Sequence, residues 1–439
     1  MFSRFLVIKF FLLVLPFSAV YAAPLSFVDA IALTLNQNDD LLAKKAQLEA
    51  DKEQVNQAWS YLKPNLTAQH STGVAKYSIN GASNLDANFN RTSLSVTQSL
   101  FSQKKWQGIQ RAEQVVMTAE TVFKSDQERK LLEVVDIYLQ LSQYMEISRL
   151  AKLALVDHVT KLDRLKAMLK RGLATKMDLL EAQARHDELR ADLIQNENKV
   201  TVRLKNLEHL IGKTVDEVEP ISTELIKYSE VIVANDSWHK LAWLKSSFVK
   251  VAQEQLSLAS KDVDIAKSDY WPEVNLRGDL IKSDSYETSI KDQTKVQLEI
   301  VLPLYQGGLR SSRAAAAKKI VQSRGLQVSD QKRFVKAKLD EVVSSLKGSL
   351  ANIEAMRQSI SSNEAYLESA EKGLSYGVRG VFDVLNAKSR LYDAERQLTI
   401  ELYSNILSQF EFLFLLGDFN QSSIKKFLNG QYSFDRSHH

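Results

Sequence analysis

The side chains best suited to catalysis do not form a recognisable site. Five internal histidines, with no spacing typical of a metal site, are scattered along the chain: His70, His158, His186, His209 and His239. The sequence has no nucleophile elbow and no phosphate-binding glycine loop. It also has no cysteine, which excludes disulfides and thiolate metal sites. We therefore predict a protein that is not an enzyme and that has no metal site and no cofactor.

A second set of polar side chains alternates with apolar ones in two nearby segments. The apolar members are Val274, Leu276, Gly278 and Leu280, then Val296, Leu298, Ile300, Leu302 and Leu304. The polar members are Asn275, Arg277, Asp279, Gln297 and Glu299. A period of two predicts two β-strands with one apolar and one polar face, which is typical of a transmembrane hairpin with lipid outside and water inside. The polar side chains are then expected to line a barrel lumen. A soluble sandwich would need a second sheet over the apolar face, and none is evident.

A weaker hairpin pattern occurs earlier in the chain. Leu94 and Val96 alternate with Ser93, Ser95 and Thr97, near the loop segment at 78–81. Four strands cannot close a barrel, and an open sheet edge is not tolerated in lipid. The chain must therefore oligomerise to be stable in lipid; three copies would supply twelve strands and four would supply sixteen.

Two halves of the chain match at an offset of about 205 residues. Eight residues of the first half, Gly172, Asp178, Leu180, Ala182, Arg185, Leu193, Leu210 and Gly212, recur as Gly377, Asp383, Leu385, Ala387, Arg390, Leu398, Leu415 and Gly417. So many identities in one ungapped window indicate two structural repeats.

Long helices are expected to connect these motifs. Apolar residues recur at steps of three and four from Leu131 to Met145, and again from Val342 to Ile360. No proline interrupts the region from about Lys104 to Lys170, so we predict one helix of about 100 Å there.

The N-terminus has the pattern of a secretory signal. Arg4 and Lys9 precede a short apolar run, and the small residues around Ala22 suit a signal peptidase. We expect a signal peptide at 1–22. The remainder is predicted to comprise a first repeat (23–212, hairpin about 65–101, coil tip about 171–175), a linker (213–236), a second repeat (237–417, hairpin about 273–305, coil tip about 376–381) and a tail (418–439).

Composition agrees with a folded protein that does not bind nucleic acid. Of 439 residues, 25% are charged and 44% hydrophobic, and the formal net charge is only +4. Arg4 and Lys9 leave with the signal peptide, which lowers the charge further and removes any electrostatic case for nucleic acid.

Taken together, the signal, the repeats, the hairpins and the coil tips resemble the TolC family of outer-membrane channels. The most specific segments are Arg171-Gly172-Leu173 and the run from Tyr376 to Ala387. The resemblance covers nearly all of the chain after the signal. It implies a mainly α fold with a membrane β-barrel portion: a homotrimer with one shared twelve-stranded barrel on a long periplasmic α-helical barrel. It also implies a periplasmic adaptor, an inner-membrane transporter and the surrounding outer-membrane lipid as partners.

The resemblance further implies roles for residues at the coil tips. Asp383 matches an acid that narrows the entrance, Arg379 a basic residue that holds neighbouring coils closed, and Asp178 the acid of the first repeat. Asn386 stands where many relatives carry a second acid, so a weaker acidic ring is expected, and Leu374 stands where a coil-linking tyrosine is expected. Adaptors of the family contact the tip positions, which here are Gly172, Leu173, Gly377 and Val378.

Simpler interpretations stand beside these roles. Thr175 and Asp178 have capping-box spacing, Asp383 follows Gly380 by three residues, and Gly172 and Gly377 suit helix C-caps. The function we predict is a passive exit duct for efflux or type I secretion. The alternatives are a channel dedicated to type I protein secretion, and a periplasmic coiled-coil scaffold or adhesin without a channel.

Overall fold

The computed structural model describes residues 24–77, 85–223, 230, 232, 238–285 and 292–429. The predicted signal peptide, the loop at 78–81, most of the predicted linker after 223 and the last ten residues of the predicted tail lie outside this range. The described part of the chain contains no helix with both the length and the apolar character needed to cross a membrane.

Two very long helices dominate the described chain. In order, the helices are α1 (Phe27–Gln37), α2 (Asp39–Ser60), α3 (Gln103–Lys170), α4 (Lys176–Ile211), α5 (Trp238–Lys245), α6 (Ser247–Ser268), α7 (Leu309–Ser375), α8 (Val381–Leu416) and α9 (Gln421–Leu428). Helices α3 and α7 contain 68 and 67 residues, so each extends about 100 Å. The predicted unbroken helix from about Lys104 to Lys170 is confirmed.

The four strands form one antiparallel sheet. They are β1 (Asn65–Tyr77), β2 (Leu85–Ser102), β3 (Glu273–Ser285) and β4 (Asp292–Val301), in the order β1-β2-β3-β4. Leu94 lies opposite Leu280, and Leu276 opposite Leu298. Apolar residues therefore face apolar partners both within the second hairpin and between the two hairpins, which join edge to edge through β2 and β3.

Strand β4 ends earlier than the alternation predicted. It stops at Val301, so Leu302 and Leu304 follow the strand rather than belong to it. Pro303 lies between them, and a proline has no N–H group to donate to a neighbouring strand. The alternation continues past the strand because side-chain type alone does not reveal where pairing stops.

The helices α3 and α4 pair as a first coil, and α7 and α8 pair as a second coil. The two coils have matching lengths, since α4 and α8 each contain 36 residues. Both of these helices end at a glycine with positive φ, Gly212 at 68° and Gly417 at 76°. The two coils therefore match in the order, length and C-terminal cap of their helices, and the division into two repeats stays a prediction.

The main hydrophobic core lies where α1, α3, α4, α8 and α9 meet. The Tyr138 hydroxyl lies 2.8 and 2.6 Å from the carbonyl oxygens of Leu25 and Glu219, which ties the start of the described chain to α3. Ile424 and Phe427 of α9 are buried in the same core. The segment predicted as a tail therefore contains a packed helix, which is too short for its apolar spacing to stand out in the sequence.

Candidate functional site

The first coil tip is a tight turn closed by backbone hydrogen bonds. Gly172 has a φ of +71°, and its N–H donates to the Leu169 carbonyl at 3.0 Å. The Leu173 N–H donates to the Met168 carbonyl, also at 3.0 Å. This pair of bonds is a Schellman motif, in which the left-handed residue is usually glycine.

Asp178 caps the helix that follows this turn. Its N–H donates to the Thr175 hydroxyl at 3.1 Å, and its carboxylate accepts from the Thr175 N–H at 2.8 Å. Hydrogen bonds from the Thr175 backbone and side chain lower the pKa of Asp178. The capping box expected from the spacing is therefore present, and it keeps Asp178 ionised beside the turn.

The second tip repeats the turn but has a different charged contact. The Gly377 N–H donates to the Leu374 carbonyl at 3.1 Å, and the Val378 N–H to the Gly373 carbonyl at 2.9 Å. Asp383 accepts a hydrogen bond from the Gly380 N–H at 3.0 Å. Since glycine has no side chain, this is only half of a capping box.

Arg379 is fixed within its own tip. Its Nη1 lies 3.8 Å from Oδ1 of Asp383. A Cβ placed on Gly373 would lie 2.6 Å from the Arg379 Cγ, so the arginine stem crosses the helix surface that glycine leaves open. Among the described residues, no ion pair of Asp178, Arg379 or Asp383 passes from one tip to the other. The remaining predicted entrance residue, Asn386, is exposed one turn further along α8.

Both tips carry exposed apolar side chains. Leu173 is 67% exposed and Val378 is 76% exposed. Met177 and Tyr376, which were not among the predicted docking residues, lie beside them and are also exposed. Exposed apolar groups gathered at the end of a helical coil are typical of an interaction surface. The turn geometry at Gly172 and Gly377 presents them.

The sheet has a polar face with a network of bonded charges. Asp279 accepts hydrogen bonds from Ser95 at 2.8 Å and from the Arg277 Nε at 2.9 Å. Asn275 lies opposite Glu299, and Arg277 opposite Gln297. The five predicted lumen residues therefore lie on one face of two adjacent strands.

A cleft on this face also contains polar residues that the sequence interpretation omitted. They are Gln69, Ser71, Arg91, Gln293 and Lys295. Their positions follow the same period of two, because Gln69 lies opposite Ser93 and Lys295 lies opposite Asp279. Extending each alternation by one step would have found Arg91 and Lys295, and a second step would have found Gln293. Gln69 and Ser71 lie on β1, where the sequence analysis identified no alternation.

The opposite face of the sheet is apolar and unusually exposed. Val296, Leu298 and Ile300 are 74%, 59% and 65% exposed in β4, and Leu66 in β1 is 64% exposed. A single chain seldom leaves a continuous apolar surface of this kind in water. The arrangement is typical of strands that meet lipid on one side and an aqueous lumen on the other.

Two histidines that are far apart in sequence come together between α3 and α4. The ring centroids of His158 and His186 are 6.3 Å apart. Neither ring nitrogen of the buried His158 has a hydrogen-bond partner in the part of the chain that the structure describes. Burial, then His186 and Arg185, lower the pKa of His158. Within the described residues, no group of three or more His, Cys, Asp and Glu side chains is arranged to hold a metal ion.

Known proteins share this sequence pattern and this architecture. The outer membrane efflux protein family matches residues 30–213 and 240–413. Outer membrane protein TolC of Salmonella enteritidis is 25% identical, with 88% of this chain and 81% of that protein aligned. The proteases secretion protein PrtF of Dickeya chrysanthemi is 23% identical, with 94% and 92% aligned.

A solved structure has the same fold. The crystal structure of the outer membrane protein VceC from Vibrio cholerae superposes with a TM-score of 0.73 at 18% sequence identity, covering 89% of this chain and 96% of that one. At this identity the likeness concerns the fold. The family match covers most of the chain, however, and the chain belongs to the outer membrane efflux protein family.

Proposed function

We propose that this chain forms a passive exit duct in the outer membrane, through which an inner-membrane transporter discharges its cargo. The observation that carries the proposal is the two-faced sheet. Leu298 and Ile300 are exposed on one face, whereas Arg277, Asp279 and Glu299 occupy the other. A barrel places these faces against lipid and water respectively.

The edges of the sheet favour a shared barrel. Strands β1 and β4 end the order β1-β2-β3-β4, and neither has a further partner among the described residues. Lipid provides no hydrogen bonds for an open strand edge. Joining β4 of one copy to β1 of the next removes every edge, and the family resemblance favours three copies and twelve strands.

The long coils extend the duct into the periplasm. Helices of about 100 Å are long enough to carry the entrance far from the barrel. Within this organisation, residues 23–212 and 237–417 are the two repeats, joined by the segment 213–236. The chain has no cysteine, so no disulfide holds the long helices together and the periplasmic part relies on side-chain packing between them.

The coil tips form the entrance. Asp178, Arg379, Asp383 and the uncharged Asn386 surround it, and the two acidic side chains favour cations there. The exposed side chains of Leu173 and Val378, on the turns made by Gly172 and Gly377, form the adaptor-docking surface. Energy enters at the inner membrane, so the duct requires no reaction and no cofactor of its own.

The proposal is tested by locating the protein and measuring its pore. The full chain, expressed in a Gram-negative host, is expected in the outer-membrane fraction, and native mass spectrometry of the purified protein is expected to give three chains. Addition to planar lipid bilayers should give discrete conductance steps. A protein found only in the soluble periplasmic fraction, with no conductance, would favour the coiled-coil scaffold or adhesin instead.

A second candidate is a channel dedicated to type I protein secretion. The similarity to a protease secretion protein extends over 94% of this chain, close to the 88% aligned with TolC. Deleting the gene distinguishes the two functions. General efflux predicts greater sensitivity to several toxic small molecules, whereas dedicated secretion predicts the loss of particular extracellular proteins with unchanged drug sensitivity.

A further inference from the structure

We propose that Arg91, Arg277 and Lys295 form a zone in the barrel lumen that binds dissolved anions carrying phosphate or carboxylate groups. We call these three residues the lumen cations. The proposal rests on the proposed function in one respect, because a closed barrel turns the polar face of the sheet toward water. It goes beyond that function by assigning the exit a charge preference opposite to the one proposed for the entrance.

The lumen cations line a single cleft across three neighbouring strands. Arg91 lies on β2, Arg277 on β3 and Lys295 on β4. The cleft has a volume of about 590 Å³. Because a water molecule occupies about 30 Å³ in the liquid, this volume is sufficient for a hydrated phosphate group. Apart from Asp279, the other side chains that line the cleft are uncharged. Three positive and one negative side chain give the cleft a net charge of +2.

The acid in the cleft is already bonded to its neighbours. Asp279 accepts hydrogen bonds from Ser95 at 2.8 Å and from the Arg277 Nε at 2.9 Å. Its side chain is 10% exposed, whereas that of Arg277 is 48% exposed. Asp279 uses only the Nε–H of Arg277 as a donor, and a guanidinium has further N–H groups. The acid therefore orients Arg277 and leaves much of its guanidinium available to a ligand.

The other two lumen cations are exposed and have no close acidic partner. Within the described chain, neither Arg91 nor Lys295 forms an ion pair, and both are exposed. Lys295 lies opposite Asp279, but the nearer Arg277 already bonds to that carboxylate. The positive charge of the cleft is therefore not neutralised within the described part of the sheet.

Two further acids of the polar face lie nearer the helices. Glu299 is four residues closer to α7 than Lys295, which is about 13 Å along a strand. Glu273 begins β3 and pairs with Lys105 of α3 at 2.9 Å. The polar face therefore changes along its length, with these acids near the helices and the lumen cations further from them.

The side chains of the cleft have the chemistry that recognises oxyanions. Arginine donates two parallel N–H bonds to phosphate or carboxylate, and lysine adds a compact positive charge. Arg277 lies opposite Gln297, so Lys295 is its diagonal neighbour, with the two Cβ atoms about 7 Å apart. One anion can contact both side chains. Rings of cationic side chains select anions in pores, and copies of the cleft around one lumen would reinforce this field.

The ligand is expected to be dissolved rather than part of a lipid. The lumen cations share the face of the sheet that carries Gln293 and Gln297, whereas lipid would contact the opposite face with Leu298 and Ile300. An anionic lipid headgroup would therefore lie on the wrong side of the sheet. The favoured occupants are soluble organic or inorganic anions that pass through the barrel.

Calorimetric titration with sodium tripolyphosphate tests this binding directly. The full chain is purified in detergent and titrated at low ionic strength. The double variant Arg91→Gln with Lys295→Gln removes two lumen cations but keeps the bond between Arg277 and Asp279. We expect its Kd for tripolyphosphate to be about fivefold higher than that of wild type.

Lys282→Gln is the matched control for this titration. Lys282 is an exposed cation of β3 that lies opposite Thr92, on the face directed away from the lumen cations. Its Kd is expected to stay within about twofold of wild type. Equal affinity of the double variant and wild type, at equal Tm, would overturn the proposal. The same loss in Lys282→Gln would also overturn it, because binding would then follow the overall charge of the protein.

A second measurement separates this inference from the duct itself. The reversal potential in planar bilayers under a potassium chloride gradient is expected to shift toward stronger cation preference in the double variant. The coil tips are identical in the two proteins, so this shift reports the barrel alone. If wild type forms no pores but the calorimetric difference persists, the duct fails and the anion-binding zone stands. If pores form while both affinity and reversal potential are unchanged in the double variant, the anion-binding zone fails and the duct stands.

Discussion

At the scale of single residues, two glycines with the same backbone conformation have different surroundings. Gly172 has a φ of +71°, and apart from its chain neighbours no heavy atom of the described residues lies within 4 Å of a hypothetical Cβ. Gly417 has a φ of +76°, but its Cβ would lie 2.1 Å from the Lys245 carbonyl oxygen. At position 172, glycine is favoured only because the backbone has a positive φ there. The second also lets α8 approach the α5–α6 junction.

We predict that Gly417→Ala destabilises the protein far more than Gly172→Ala. A left-handed alanine costs about 1–2 kcal/mol, and that is the whole expected effect at position 172. At position 417 the backbone of Lys245 must also move. Thermal unfolding followed by circular dichroism measures both variants. Equal losses of Tm would mean that the close approach at Gly417 is relieved without cost.

A pH-dependent stability is expected from His158. Burial, then His186 and Arg185, lower its pKa, and Lys161 acts in the same direction while Asp157 opposes them. Lys388, Tyr392 and Glu395 of α8 line the cavity beside it. An unfolded histidine binds a proton near pH 6.5. The stability from neutral His158 is therefore complete above that pH and is lost as pH falls toward the lower folded pKa.

Replacing His158 tests this dependence. His158→Leu should flatten the fall of Tm between about pH 7.5 and pH 5, because the variant has no proton to bind there. His209→Gln is the control, since His209 is exposed on α4. A wild-type slope in His158→Leu, together with an unchanged control, would assign the acid sensitivity to other groups.

At the scale of elements, the sequence predicted helices and strands well where a repeating pattern was long. The heptads of α3 continue for many turns, and the alternation in β3 and β4 separates their faces clearly. Strand ends and short helices were harder to predict. Strand β4 stops at Val301, just before Pro303, although the alternation continues, and α9 has too few turns for a clear period. Local patterns report which face is apolar more reliably than where an element ends.

The sheet leads to a prediction about adjacent residues on opposite faces. Leu298 is 59% exposed and lies opposite Leu276, whereas Glu299 is on the polar face opposite Asn275. A cation facing mid-membrane lipid costs about 2–4 kcal/mol. Leu298→Arg should therefore reduce the amount of assembled protein in the outer-membrane fraction, while Glu299→Gln should be tolerated. If both variants assemble like wild type, the lipid-facing assignment of this strand fails.

At the scale of the whole molecule, contacts between distant segments were beyond sequence reasoning. The Lys388 Nζ lies 2.7 Å from Oδ2 of Asp157, but the two residues belong to different halves, and nothing in either segment indicates the other as its partner. His158 and His186 lie 28 residues apart in the sequence and become neighbours only because the turn between α3 and α4 folds the two helices against each other. The offset between the halves did indicate equivalent turns at Gly172 and Gly377, because it aligns corresponding positions of the two halves. It contains no information on how the two coils pack against each other.

The last prediction concerns the coil tips, where the same charged residues could either cap their own helices or hold the entrance closed. Asp178 completes a capping box with Thr175, and Arg379 contacts Asp383. If these charges also hold neighbouring coils of the assembled duct closed, then Arg379→Ser with Asp178→Ala should raise single-channel conductance in planar bilayers. Three copies biasing one cooperative opening add their effects even when each contact is weak. Asp383→Ala should mainly reduce cation preference, because it removes an acid from the entrance.

If these residues only cap their helices, the double variant should have unchanged single-channel conductance. Loss of an acid in the first turn removes a favourable interaction with the N-terminus of α4 and slightly lowers the thermal stability, without widening the pore. Thr175→Ala is the matched control, since it removes the reciprocal capping bond but leaves the charge of Asp178 in place. A double variant that conducts like Thr175→Ala would restrict Asp178 and Arg379 to local roles in their turns. A higher conductance in the double variant alone requires that the two charges act between coils.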